Sequence, residues 1–357
     1  MKHSILLLIP FLFFSCKAEK DSVPDFPKKH VILEEAELKG QSNSRKLFPV
    51  EQWAEDEAYA EHTDRKAWQM TYDLFLPENE DKEKSLIVFL HPGAFLTGSK
   101  NDALIQRLCK DFAGRGYATL AANYRLADYQ GGLGDLLNQL MKPGKLAKNQ
   151  IYRSLQDAHS LLAYCEANAE VWGVDPDRIY LAGYSAGAIL ALNYAYIDER
   201  EAFDFFKHDP LDCLDCLPYK GQSEEDLSRG KIRGLIAIAG GIFELDHIEE
   251  KDQIPTLLIH GNEDDMVPYH QGIPFDKYKR EQEYEFQDTK INIPESLSRF
   301  VIRHFSLPVY GSEEIYERKI KNVRLVEIEE KAHEFSSSGA EYEFLFGEIH
   351  SFLKKTN

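Results

Sequence analysis

The chain has 357 residues, of which 43% are hydrophobic, 12% aromatic and 29% charged, a composition that excludes a disordered chain, a collagen-like repeat and a polytopic membrane protein. A formal net charge of −18 would repel a phosphate backbone and argues against nucleic acid as a partner. Five cysteines in this length are too few for a disulfide scaffold.

Lys2 supplies a short positive region, and residues 5–14 form an apolar run broken by Pro10. The run is too short to cross ~30 Å of hydrocarbon and suits the apolar centre of an export signal. It ends in Phe13, Phe14, Ser15 and Cys16, followed at once by polar residues 17–21. This stretch resembles the lipobox of bacterial lipoproteins, with Phe13 standing where a leucine is usual. The resemblance implies a signal peptide over 1–16, lipidation at Cys16, and a lipid anchor in the outer membrane on its periplasmic or outer face. An ordinary secretory leader with a chance cysteine is the alternative. Residues 17 to about 30 read as a flexible tether, within an N-terminal extension over 17–67 that precedes a folded domain over 68–357.

Residues 70–76 (MTYDLFL) alternate as a strand does. Residues 85–90 (SLIVFL) are continuously apolar and branched, as in a buried strand of a parallel sheet. Over 102–116, Leu104, Leu108, Cys109 and Phe112 share a helical face that stops at Gly114 and Gly116. A strand is predicted over 117–124, then a long helix over 152–172 with Leu155, Ala158, Leu161, Leu162 and Cys165 on one face. Short apolar strands follow at 178–184, 232–239, 256–260 and 323–327, and a closing helix at 343–353. Strands alternating with helices imply βαβ units and one mostly parallel, doubly wound sheet with helices on both faces.

Two stretches break the rhythm. Residues 197–231 are rich in acids and hold Phe203, Phe205 and Phe206, and residues 271–306 mix Lys, Arg and Glu. Open α/β sheets bind ligands beyond the carboxyl ends of their strands, so insertions there can roof a site. Solvated surface loops are the plainer alternative.

The chemistry-bearing motif is Gly183-Tyr184-Ser185-Ala186-Gly187, between a predicted strand and the helical 188–192. A sharp strand-to-helix turn leaves no room for side chains at its flanking glycines and puts the serine hydroxyl at a helix N-terminus. A serine hydroxyl needs a base oriented by an acid. His260-Gly261-Asn262-Glu263-Asp264-Asp265-Met266-Val267-Pro268 follows one later strand, and Ala332-His333-Glu334-Phe335 follows another. These segments resemble the acid and base loops of the α/β-hydrolase superfamily, in that superfamily's chain order. The resemblance assigns Ser185 as nucleophile, Asp264 as acid and His333 as base. Glu263 and Asp265 are rivals for the acid; His270 and His350 are rivals for the base. His260 reads as a structural residue at its strand end, and the histidines carry no metal-ligand spacing.

His91-Pro92-Gly93-Ala94-Phe95, followed by Thr97-Gly98-Ser99, resembles the H-G-G-G-F-x-x-G-S loop of carboxylesterases and hormone-sensitive-lipase-like esterases. Pro92 and Ala94 depart from it at two glycine positions. The resemblance implies an oxyanion hole built from the N–H groups of Gly93, Ala94 and Ala186, with Phe95 and Tyr184 lining the substrate pocket. It covers about residues 68 to 355 and implies an α/β-hydrolase fold with insertions over the site. The implied activity is ester hydrolysis through an acyl-enzyme, with no metal and no organic cofactor. The expected substrate is a short-acyl ester of a polar small molecule or glycan. Two alternatives stay open: a serine exopeptidase of the prolyl-oligopeptidase type, and a surface binding protein with a dead site.

Cys109 and Cys165 fall on apolar helix faces and read as buried thiols. Cys213 and Cys216 form one C-x-x-C without a second pair, a weak zinc signal that leaves a local disulfide or two free thiols open.

Overall fold

The computed structural model describes residues 28–32, 47–61, 69–79, 81–127, 145–197, 205, 232–249, 254–275, 282–286, 289–293, 307–318 and 322–357. Cys16, Phe203, Phe206, Cys213 and Cys216 lie outside the described residues. Beside the centre of the sheet runs a strand over Lys84–Leu90, β4 once the two sheet strands before residue 68 and the strand Gln69–Pro77 (β3) are counted. All seven of its residues are buried. It sits between Ala118–Ala122 (β5) and Val174–Tyr184 (β6), parallel to both.

Alternation along β4 sends its side chains into two cores. Leu86, Val88 and Leu90 pack with the helices Lys145–Trp172 (α2) and Ala186–Tyr196 (α3). Ile87 and Phe89 face the opposite layer, made by Ala103–Ala113 (α1) and Gly339–Thr356 (α5). Beyond β6 follow Ile232–Ile238 (β7), Thr256–Gly261 (β8) and Val323–Ile328 (β11), each parallel to its neighbour. Between β8 and β11 the chain forms an antiparallel hairpin of Gln282–Phe286 (β9) and Thr289–Ile293 (β10), then the short helix Ser312–Glu317 (α4). The 271–306 stretch, read from the sequence as an insertion or a solvated loop, therefore holds two paired strands among its described residues.

The sheet also takes in two segments ahead of residue 68, where the sequence suggests only a tether and an extension. Lys29–Val31 (β1) pairs in parallel with β11 at one edge. Val50–Glu61 (β2) pairs antiparallel with β3 at the other. The full order is β1-β11-β8-β7-β6-β4-β5-β3-β2, with β3 antiparallel to both β2 and β5. Three register shifts interrupt β2, and Asp56 lies within the one between Ala54 and Glu57; it adopts φ +54° and donates its N–H to Asp73 at 3.1 Å.

Helix bounds follow local chemistry. Asp102 caps α1, its carboxylate accepting from Leu104 N and Ile105 N at 3.0 and 3.1 Å. Gly114 ends that helix in ordinary helical geometry, and Gly116, at φ +101°, makes the turn that a side chain would resist. Among the described residues no helix is long and apolar enough to cross a membrane. Cys109 and Cys165 are buried free thiols, and burial pushes both up.

One buried ion pair ties the chain after β5 to α2. Arg125, 1% exposed, places Nη2 2.7 Å from Oδ1 of Asp157, and its own backbone N–H reaches Oδ2 at 2.7 Å. Asp157→Ala strands a buried guanidinium and is expected to cost about 3–5 kcal/mol in urea denaturation. A loss below about 1 kcal/mol, the usual scale of a solvated pair, would show that the charge finds water.

Candidate active site

Three loops leave the carboxyl ends of β6, β8 and β11, where an open parallel sheet gathers its ligand-binding groups. Register sets their levels: Tyr184 is opposite Ile238, and Ile238 opposite Ile259, so Ser185, just past the end of β6, and His260, still within β8, lie at one height.

Ser185 stands at the junction of β6 and α3 with φ +55° and ψ −119°, a conformation that costs a non-glycine residue roughly 1–3 kcal/mol. Its N–H bonds Ile238 O and its C=O accepts from Ile189 N, both at 2.9 Å, so the strain is held from two sides. The flanking glycines are obligatory. A Cβ on Gly183 would lie 2.2 Å from the carbonyl of Gly187, and one on Gly187 would lie 2.2 Å from Leu90 O. That second contact also shows how closely the first turn of α3 packs against the end of β4. The Ser185 side chain makes no helix-capping bond, and its Oγ lies instead 2.8 Å from His333 Nε2.

His333 Nδ1 lies 2.7 Å from Asp264 Oδ2. A carboxylate can only accept, so Nδ1 carries the proton and Nε2 is left to accept from the serine hydroxyl. All three groups are buried, at 6% exposure for Ser185, 5% for His333 and 4% for Asp264. Burial alone would push the Asp264 carboxyl up. Hydrogen bonds from His260 and His333, with their electrostatic attraction, outweigh it and hold Asp264 well below the usual carboxylate range. Met266 N and Val267 N add two bonds to its Oδ1, each 2.8 Å.

The acid and histidine loops are stitched together by backbone. Glu263 N donates to Lys331 O at 3.1 Å, and Asn262 accepts the N–H of Glu330 at 2.9 Å. A Cβ on Gly261 would sit 2.1 Å from Lys331 O, which explains the glycine after His260. Of the rivals, Glu263 is exposed and contributes its backbone. The His270 side chain is 67% exposed beside Glu314, and His350 packs in α5 against Phe112 and Phe346. His333 is the histidine that reaches Ser185.

The loop after β4 folds back on itself. Leu96 N and Thr97 N both donate to Gly93 O at 3.0 Å, and a Cβ on Gly93 would lie 1.9 Å from Thr97 O. Gly93, Ala94 and Phe95 take φ of +129°, +55° and +62° in succession. Ala94 thus holds a left-handed conformation with a Cβ, where the resembling loops have glycine. Among the described residues, the N–H groups of Gly93, Ala94 and Ala186 have no hydrogen-bond partner, as is usual at a helix's first turn for Ala186 alone. His91, fully buried and stacked on Tyr124 at 4.3 Å, is pushed down to about 4 by burial and so stays neutral.

The two residues read as pocket lining, Tyr184 and Phe95, are each 8% exposed. Tyr184 stacks on the His333 ring, 5.5 Å between centroids, and its hydroxyl donates to His333 O at 3.1 Å and accepts from Phe335 N at 3.3 Å. It props the histidine loop from below. Phe95 is 8% exposed and packs against Tyr124, while the neighbouring Leu96 is 42% exposed. His260, read as structural, is fully buried as a structural residue would be, yet it touches Asp264 directly at 3.1 Å. Its four-residue spacing from Asp264 was the available signal. Among the described residues, no group of three or more His, Cys, Asp or Glu side chains could hold a metal ion.

A family model described as BD-FAE matches residues 72–131 and 145–212, which include β4, the loop after it and the Ser185 elbow. The isoprenylcysteine alpha-carbonyl methylesterase of Arabidopsis thaliana is 32% identical over 119 residues, 33% of this chain and 23% of that protein. A probable isoprenylcysteine alpha-carbonyl methylesterase of Oryza sativa subsp. japonica is 30% identical over 119 residues, with the same shares. The match therefore spans about a quarter of the length of these curated relatives. The butyrate-bound esterase of Thermogutta terrifontis superposes with a TM-score of 0.52 at 19% identity, over 85% of this chain and 94% of that one. The chain has the fold of these α/β-hydrolases, a mostly parallel nine-stranded sheet between two helical layers.

Proposed function

We propose that the protein is a serine carboxylic-ester hydrolase. The observation that carries this reading is the buried chain Ser185 Oγ, His333, Asp264, with links of 2.8 and 2.7 Å. The family match across the elbow and the partial likeness to plant methylesterases support it. In the proposed cycle, Ser185 Oγ bonds to the ester carbonyl carbon while His333 Nε2 takes its proton. The N–H groups of Gly93, Ala94 and Ala186 receive the oxyanion, each able to lower the barrier by roughly 3–4 kcal/mol. Collapse expels the alcohol with the proton from His333, and water repeats the sequence on the acyl-enzyme. Asp264 holds the tautomer and stabilises the imidazolium.

Ser185→Ala and His333→Ala should each remove about four or more powers of ten from turnover of p-nitrophenyl acetate without changing the circular dichroism spectrum. Asp264→Asn should be badly impaired and Asp265→Asn much less so; the reverse would move the acid by one position. Fluorophosphonate labelling at Ser185 separates this reading from a dead binding site, which would take no label.

The substrate we propose is a short-acyl ester of a polar alcohol, with acetyl groups on a glycan as one source. The 197–231 and 271–306 stretches are rich in charge, whereas a lipase presents a continuous apolar patch. Among the described residues, the large exposed apolar side chains are scattered singly, with Leu96 alone in the loops around Ser185. In a series of p-nitrophenyl esters from acetyl to palmitoyl, activity should peak at the shortest chains, and acetylated xylan should release acetate. A maximum at eight carbons or beyond would reject the small pocket.

We further propose lipidation at Cys16 and attachment to the outer membrane, on the sequence pattern alone. A lipidated N-terminal cysteine carrying several acyl chains suffices for stable attachment, whereas one chain binds only marginally. Expressed in a Gram-negative host, wild-type protein should partition into detergent and Cys16→Ser should not. Equal recovery of both in the soluble fraction would sink the idea.

A further inference from the structure

Asp264 is held by two histidines. His260, the penultimate residue of β8, points Nε2 at Asp264 Oδ2, 3.1 Å away, on the same oxygen that receives His333 Nδ1. Its Nε2 also lies 3.1 Å from the carbonyl of Val267. Both neighbours can only accept, so Nε2 carries a hydrogen shared between them. On the other side Nδ1 lies 2.8 Å from Oγ of Ser312, the first residue of α4. With Nε2 protonated, the neutral ring must accept at Nδ1, and the Ser312 hydroxyl is the donor that fixes this tautomer. His260 and Ser312 are both fully buried, and the edge of Tyr269 packs against the ring at 5.5 Å.

The consequence falls on Asp264. With Met266 N and Val267 N on Oδ1 and two imidazoles on Oδ2, rotation of the carboxylate would break several bonds at once. We infer that His260 is a positioning residue, acting through Asp264 to aim the carboxylate at His333, with Ser312 setting the tautomer that lets it donate. The inference rests on the proposed triad. A neutral imidazole that donates at Nε2 orients a carboxylate without cancelling its negative charge.

The test uses the full chain, p-nitrophenyl acetate and steady-state kinetics. His260→Phe keeps the ring and its packing on Tyr269 but removes the donor. It should lower kcat about 100-fold, the scale of a misaimed catalytic group, and leave KM within about twofold, since the residue never touches substrate. His260→Gln, whose amide N–H comes near the position of Nε2, should restore most of kcat. In an Asp264→Ala background His260→Phe should change kcat by less than about threefold, because the group it positions is gone. Equal losses in both backgrounds, or a His260→Phe protein with unimpaired kcat, would overturn the inference. If His260→Phe does not fold, Ser312→Ala carries the same cycle: a loss of kcat that disappears in Asp264→Ala supports the inference, and a loss that persists there, or none at all, overturns it. Ser185→Ala and fluorophosphonate labelling run alongside. Turnover that does not need Ser185 defeats the esterase reading and this inference together. Turnover that needs Ser185 but ignores His260 defeats this inference alone.

Discussion

The bond from His333 Nδ1 to Asp264 Oδ2 is the contact on which the site's architecture depends. It joins a loop after β11 to a loop after β8, and it aims a ring back across β7 at a serine on β6. Neighbouring strands sit about 4.8 Å apart, so the histidine loop must lean inward over two strands to reach Ser185. Tyr184 below the ring, Lys331 O against Gly261, and Asn262 under Glu330 hold it in that lean. Tyr184 is buried, whereas the Asn262 bond lies at the solvent-exposed side of the loop.

Behind Asp264 the supports run to the edge of the sheet. Tyr269, packed on His260, shares its one hydroxyl hydrogen between Glu313 and Glu327, whose oxygens lie 2.6 and 2.9 Å away. Those two carboxylates also hold Lys28, at 2.7 and 2.6 Å. Burial would raise the Glu327 carboxyl, but bonds from Lys28, Tyr269 and Asn262 bring it down to about 2. The segment that carries Lys28 continues into β1, which covers the outer edge of β11. Without β1, β11 would be an edge strand with an unpaired row of N–H and C=O groups. The N-terminal segment is thus part of the wall behind the acid loop.

Much of this was legible in the sequence because parallel strands buried on both faces leave apolar runs, nearly unbroken in β4, β5 and β8, and interrupted in β6, β7 and β11. The elbow was legible because two glycines bracket Ser185 at positions where a Cβ would strike backbone. The edge strands were not. β2 (VEQWAEDEAYAE) carries five acids in its 12 residues, with only Ala54 and Tyr59 buried among its described side chains, so its pattern resembles a solvated extension. β1 has three residues and shows no period at all. The first turns of α2 (KLAKNQ) are polar, which hid its start at Lys145 seven residues before the predicted one. The direction of the His260 and Tyr184 rings was also hidden. A motif gives a residue's place in the chain, and which loop lies against its ring is decided by strand order.

The buried charges make sense against the strained loop after β4. Ala94 and Phe95 at positive φ would each relax if the loop were free to move. The loop is instead pinned from behind. Tyr124 donates its hydroxyl to His91 O at 2.8 Å, and Ala127 N reaches Phe95 O at 2.8 Å. The stretch 124–127 is itself fixed by the Arg125–Asp157 pair, and the far end of the loop is fixed by Lys100 Nζ on Asp73 at 2.6 Å. Buried ion pairs of this kind contribute little net stability compared with apolar packing. Their directional bonds, however, fix where a backbone lies more tightly than apolar contacts can. Both pairs sit behind a loop that carries three successive positive-φ residues, Gly93, Ala94 and Phe95, and they hold its two ends in place.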